Sequence, residues 1–107
     1  MAVPEVDIAT FAERHAAGAA VVDVREPDEY SEAHVAGARL IPLGEIVERA
    51  AEVPSGETVY MICARGGRSL RAAEYLQGLG RDVVNVAGGT LEWIDSGHPT
   101  VAGDAPG

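Results

Sequence analysis

Four short apolar runs most constrain what this chain can fold into: AVVDV at 20 to 24, ARLIP at 38 to 42, TVYMI at 58 to 62 and DVVNV at 82 to 86. Most are nearly continuous rather than alternating in polarity, which is how strands read when both faces of a parallel sheet are covered. Around them the pattern is helical. Helices are predicted over roughly 7 to 16, opened by Asp7 as a cap and closed by Gly18, over 43 to 51, over 69 to 79, and over a shorter stretch at 90 to 96 ahead of Gly97 and Pro99. Strands alternating with helices predict an α/β domain with a mostly parallel sheet and helices on both faces. Ligands of such sheets sit beyond the carboxyl ends of the strands. A length of 107 residues fits a single domain spanning 1–107, of which VAGDAPG, 101 to 107, reads as a flexible tail.

The balance of charge narrows the ligand. A formal net charge of -9 disfavours a nucleic-acid surface, which needs clustered positive charge to displace counterions. No run approaches the ~20 apolar residues of a membrane span. The opening MAVPEVDIATF has neither a basic start nor an apolar stretch, so it does not read as a signal peptide, and the cytoplasm is the expected compartment. A small anion is a different matter: Arg65, Arg68 and Arg71 in CARGGRSLR reverse the overall field locally. The single cysteine, Cys63, has no thiol partner for an internal disulfide, and His15, His34 and His98 are too scattered in sequence to suggest a metal site with it.

Cys63 directly follows the run TVYMI, and Ser69 is placed to cap the helix that continues as LRAAEYLQGL. The cysteine therefore begins a strand-to-helix turn. Gly66 and Gly67 let the backbone between curl so that several amides point inward, forming an anion nest beside the positive end of the helix dipole. Helix-end effects of roughly 0.3 to 2 kcal/mol each, added to those of the guanidiniums, favour thiolate over thiol near neutral pH. A lone cysteine at the end of a buried strand is usually inert packing. Packing alone, however, needs neither paired glycines nor two arginines, so the pattern points to a nucleophile in an anion cradle.

The chain resembles single-domain rhodaneses, sulfurtransferases that handle thiosulfate and persulfides, from Val6 to Pro99. The loop pattern of that family is matched by Cys63, Gly66, Arg68 and Ser69, an upstream signature by DVREPDEYSEAHVAGARLIPLGEI, and a closing one by NVAGGTLEWIDSGHP. Ala33 stands where the upstream pattern usually has glycine, and Ala36 where it often has proline. The resemblance implies a sheet of about five strands and a double displacement through a Cys63 persulfide. Arg65, Gly66, Gly67, Arg68 and Ser69 would bind a small anionic sulfur donor, and cyanide, a thiol or a protein would accept the sulfur. No metal or organic cofactor is implied. Related loops in phosphatases and arsenate reductases give one alternative, and a sulfur-relay module without turnover gives another. Against the phosphatase reading, Ile62 rather than histidine precedes Cys63, and Arg68 follows it by five positions rather than six. Asp23, Arg25 and Glu26 read as a loop-organising ion network, His34 as a hydrogen bonder holding its loop, Trp93 as core, and Glu26, Asp28, Glu29 and Glu32 as a solvated acidic face.

Overall fold

A computed structural model describes residues 2 to 107. Five strands, β1 (Glu5–Val6), β2 (Ala20–Asp23), β3 (Arg39–Leu40), β4 (Val59–Ile62) and β5 (Val83–Val86), form one sheet in the order β1-β5-β4-β2-β3. Every pairing within it is parallel. Four α-helices accompany it: α1 (Ile8–Ala16), α2 (Pro27–Glu32), α3 (Gly67–Gly78) and α4 (Gly89–Asp95). No helix among the described residues is long and apolar enough to cross a membrane.

Two apolar layers explain why the strand runs lack alternation. Val22, Val59, Met61 and Val83 pack with Ala72, Ala73 and Leu76 of α3, while Val21, Tyr60, Ile62 and Val86 pack with Ile8, Phe11, Tyr30 and Trp93 of α1, α2 and α4. Successive strand residues thus enter opposite cores. Cys63 has the parity of Val59 and Met61, which sends its side chain to the face that α3 covers.

Asp7 caps α1 as expected, accepting a 2.8 Å hydrogen bond from the Thr10 amide. Three expectations are corrected. Residues 43 to 51 form no α-helix; they make two 3₁₀ turns, Leu43–Glu45 and Ala50–Glu52. The inward positions Leu43, Ile46, Ala50 and Val53 offer too narrow an apolar stripe over this short, Gly44-containing segment to hold a regular helix. Ser69 does not cap α3, because the chain turns earlier, at Gly66, the N-cap residue, with a left-handed φ of 110°. Residues 101 to 107, expected as a flexible tail, lie against the loop after α2: Val101 and His34 exchange backbone hydrogen bonds of 2.9 Å, and the Gly37 amide donates to Pro106 at 2.8 Å.

The readings of His34, Trp93 and the Asp23–Arg25 pair hold, while Glu26 stands outside that pair, its amide donating to Glu29 in the first turn of α2. His34 is fully buried, stacks on Tyr30 at a centroid distance of 3.6 Å, and places Nδ1 2.8 Å from the Tyr30 carbonyl oxygen. Arg25 grips Asp23 through Nε and Nη2 at 2.9 to 3.1 Å and donates to the Ala33 carbonyl at 2.8 Å, closing the turn from β2 through α2. Ala33 itself has φ −165°, extended backbone open to any residue. Trp93 is core, its indole N–H donating to the Pro99 carbonyl at 2.8 Å.

Candidate active site

The loop between β4 and α3 is fixed from below by a second helix end. The Thr90 and Leu91 amides, in the first turn of α4, donate to the carbonyls of Cys63 at 2.8 Å and Ala64 at 3.1 Å. With those carbonyls turned toward α4, the following amides are free to face the sulfur. Gly66 N–H donates to Cys63 Sγ at 3.1 Å, and Ser69 Oγ lies 3.3 Å from it. Cys63 is only 1% exposed, so its sulfur forms the floor of the cradle.

Ionisation follows from this geometry. Burial is the largest influence on the Cys63 thiol and pushes its pKa up. The Ser69 hydroxyl and the amides of Ser69, Gly66 and Arg65 act the other way, and together they hold the pKa below its ordinary value.

The expected anion-binding residues separate by role. Arg65 is exposed and has no hydrogen-bond or ion-pair partner among the described residues. Arg68 is engaged: its guanidinium makes a two-pronged pair with Glu29 at 2.7 and 3.0 Å. Glu29 also accepts from the Glu26 amide at 3.0 Å, and chiefly the Arg68 hydrogen bond holds its carboxyl at about 2. Arg68 thus ties the cysteine loop to α2, and Glu29 leaves the solvated face to which the sequence assigned it. Arg71 is exposed one turn along α3.

The two glycines also separate. Gly66 sits at φ 110°, whereas Gly67 has no left-handed φ and nothing within 4 Å of where a Cβ would lie. Gly66→Ala is expected to cost ~1 to 3 kcal/mol of strain and to pull an amide off the sulfur, while Gly67→Ala leaves both properties nearly unchanged. Thermal melts together with the Cys63 alkylation rate measure the contrast; equal behaviour of the two variants would contradict it.

Sequence reasoning missed Asn85. It is fully buried on β5, and its side chain spans three partners: Ser69 Oγ at 2.6 Å, Glu5 Oε2 at 2.7 Å and the Gly66 carbonyl at 3.1 Å. The available signal was a single amide in the run DVVNV, at the parity of Val83 and therefore facing α3. Beside the loop lies a groove of about 230 Å³ lined by Arg25, Glu29, Glu32, Ala33, Ala64, Leu91 and Ile94. It reaches the loop at Ala64 rather than at the sulfur.

Residues 7–96 match the profile of the rhodanese-like domain. The chain belongs to the rhodanese-like family. Among similar proteins is a sulfurtransferase of Allochromatium vinosum, 36% identical over 104 residues that cover 94% of this chain and 96% of that one. The putative sulfur carrier protein YrkF of Bacillus subtilis is 36% identical over 94 residues; the match covers 85% of this chain but only 51% of YrkF. The crystal structure of a rhodanese-related protein from Thermoplasma volcanium superposes with a TM-score of 0.86 at 36% identity, covering 92% of this chain and 97% of that one. The five-stranded parallel sheet with its four helices described above is therefore the fold of a rhodanese-like domain.

Proposed function

We propose that this rhodanese-like domain moves a sulfane sulfur from a small anionic donor such as thiosulfate to a thiophilic acceptor, through a persulfide on Cys63. The observation that carries the reading is a buried cysteine whose sulfur receives the Gly66 amide at the N-terminal end of α3. The Cys63 thiolate attacks the outer sulfur of thiosulfate, the sulfur–sulfur bond of the donor breaks, and sulfite leaves with the electron pair. The enzyme then carries Cys63–S–S⁻. Cyanide, a thiol or a protein thiolate attacks the terminal sulfur and regenerates the Cys63 thiolate. The amides that favour the thiolate also suit the persulfide anion and the charge developing on departing sulfite.

Arg65 is the guanidinium available to the donor's sulfonate oxygens, and Arg68, held by Glu29, supports the loop shape. Gly66, Gly67 and Ser69 contribute the backbone of the cradle. From Cys63 to Arg68 the loop has six residues, a span suited to one sulfur atom on the thiolate rather than to a tetrahedral phosphoryl group with oxygens on every side.

Arg65→Ala is expected to lower kcat/KM for thiosulfate by about 10- to 150-fold, the loss of one charge-assisted contact of ~1.5 to 3 kcal/mol. Steady-state thiosulfate-to-cyanide turnover tests both the function and this role. An unchanged thiosulfate dependence would return Arg65 to the solvated surface. Cys63-dependent hydrolysis of a small aryl phosphate at comparable rates would overturn the sulfurtransferase reading.

A further inference from the structure

Ser69 faces two acceptors with a single proton. Its Oγ is 2.6 Å from Asn85 Oδ1 and 3.3 Å from Cys63 Sγ. The orientation of the Asn85 amide is set by its other contacts: Nδ2 faces two oxygens that can only accept, Glu5 Oε2 at 2.7 Å and the Gly66 carbonyl at 3.1 Å. Oδ1 must then be the atom toward Ser69, and it has no hydrogen to give. Glu5 is the register partner of Asn85 across the β1–β5 pair, so this orientation is built into the sheet.

Two arrangements of the Ser69 hydroxyl follow. When Sγ is a neutral thiol, the hydroxyl donates over the short contact to Asn85, and its lone pair faces the S–H. When Sγ is an anion, the charge attracts the proton, because a charged acceptor strengthens a hydrogen bond about twofold. Turning to the sulfur then leaves Oδ1 of a fully buried Asn85 without a donor. In the persulfide the charge resides on the outer sulfur and the inner Sγ is again neutral, so the proton returns to Asn85.

Resting on the sulfurtransferase reading for its consequence, we propose that Asn85, anchored by Glu5, is a positioning residue that claims the Ser69 proton whenever Sγ is neutral, and so favours the sulfur-loaded state of Cys63 over the free thiolate. Asn85 touches no reacting atom; it acts through Ser69. The surrounding elements carry Arg65 on the loop, Arg68, Arg71 and Glu74 on α3, Asp28, Glu29 and Glu32 on α2, Asp23 and Arg25 at the end of β2, and Glu5 on β1. Only Glu5 reaches Asn85 directly.

The test compares Asn85→Val, Ser69→Ala and the double variant by the pH dependence of iodoacetamide alkylation, and by the persulfide fraction at a fixed thiosulfate-to-sulfite ratio. Removing Asn85 frees Ser69 for the thiolate. Alkylation of Asn85→Val below its midpoint is therefore expected to be about 3- to 10-fold faster than in the parent, with the midpoint moved to lower pH and the persulfide-to-thiolate ratio reduced by a similar factor. In the Ser69→Ala background the same substitution should move neither quantity. An unchanged or higher midpoint in Asn85→Val, or a shift that survives in the Ser69→Ala background, would overturn the proposal.

Valine suits this strand, and Glu5→Ala at the exposed sheet edge provides the same comparison without touching the core. A downward shift that Ser69→Ala diminishes is expected; an equal shift in both backgrounds would reduce Glu5 to a Coulombic effect and contradict the relay. Failure of the parent protein to load sulfur at all would count against the sulfurtransferase reading alone, since the alkylation comparison judges the proton claim independently.

Discussion

Replacing Cys63 by serine is expected to abolish sulfur transfer and leave the fold intact. The side chain is 1% exposed and packs against the layer formed by β4 and α3, where a hydroxyl one atom-size smaller can still accept the Gly66 amide. Stability should change by about 1 kcal/mol or less, a small shift for a domain of this size. Activity should not survive, because a serine hydroxyl is scarcely ionised near neutrality and there is no other thiol in the chain. Losing a nucleophile of this kind lowers turnover by at least about 10⁴-fold. Circular dichroism and a thiosulfate-to-cyanide assay on the same sample check both halves. Appreciable turnover in the folded serine variant would remove Cys63 from the mechanism.

Gly89→Ala should be the most damaging substitution that leaves the cradle's own residues untouched. A Cβ there would lie 2.4 Å from the Cys63 carbonyl oxygen and 2.5 Å from that of Ala64, at a residue whose φ is +62°. The carbonyls cannot recede cheaply, since the Thr90 and Leu91 amides hold them. Strain of ~1 to 3 kcal/mol therefore comes with a forced displacement of the loop. A loss of several kcal/mol corresponds to a fall in Tm of more than about 10 °C. Misplacing the cradle by about 1 Å costs on the order of 10²-fold in kcat/KM. Gly18→Ala is the control: φ there is +90° with nothing within 4 Å, so strain is present without the clash, far from the loop. It should lower Tm modestly and leave kcat/KM unaltered. Equal effects on activity from the two variants would show that α4 does not set the loop.

What the sequence made legible follows the strength of its local signals. The runs at 20 to 24, 58 to 62 and 82 to 86 become β2, β4 and β5 because short stretches rich in β-branched residues and apolar over both parities suit strands covered on both faces. The run at 38 to 42 becomes β3, shortened to the two residues Arg39 and Leu40 that pair with β2, whereas β1, also two residues, is too short for periodicity to register and exists through pairing with β5. The helix expected at 43 to 51 failed for the related reason that its apolar stripe is thin and tertiary contacts decided its conformation.

At the site, the cysteine, the turn glycine and the helix were readable because strand, turn and helix signals adjoin within a few residues. The partners of Arg68 and Ser69 were not. Glu29 is 39 positions from Arg68, and Asn85 is 16 from Ser69. Only the crossovers that set β2 and β5 on either side of β4 bring these residues to the loop. The same crossovers place α4 under Cys63, a role that no local pattern around Gly89 discloses.

Intact-mass analysis of the protein after incubation with thiosulfate and desalting tests most directly whether Cys63 stores a sulfur atom between donor and acceptor. The expected result is a gain of one sulfur atom, lost on adding cyanide with return of the original mass, and absent from Cys63→Ser. Recovery of the unmodified mass after thiosulfate, under conditions where the protein is folded and Cys63 is open to iodoacetamide, would contradict it.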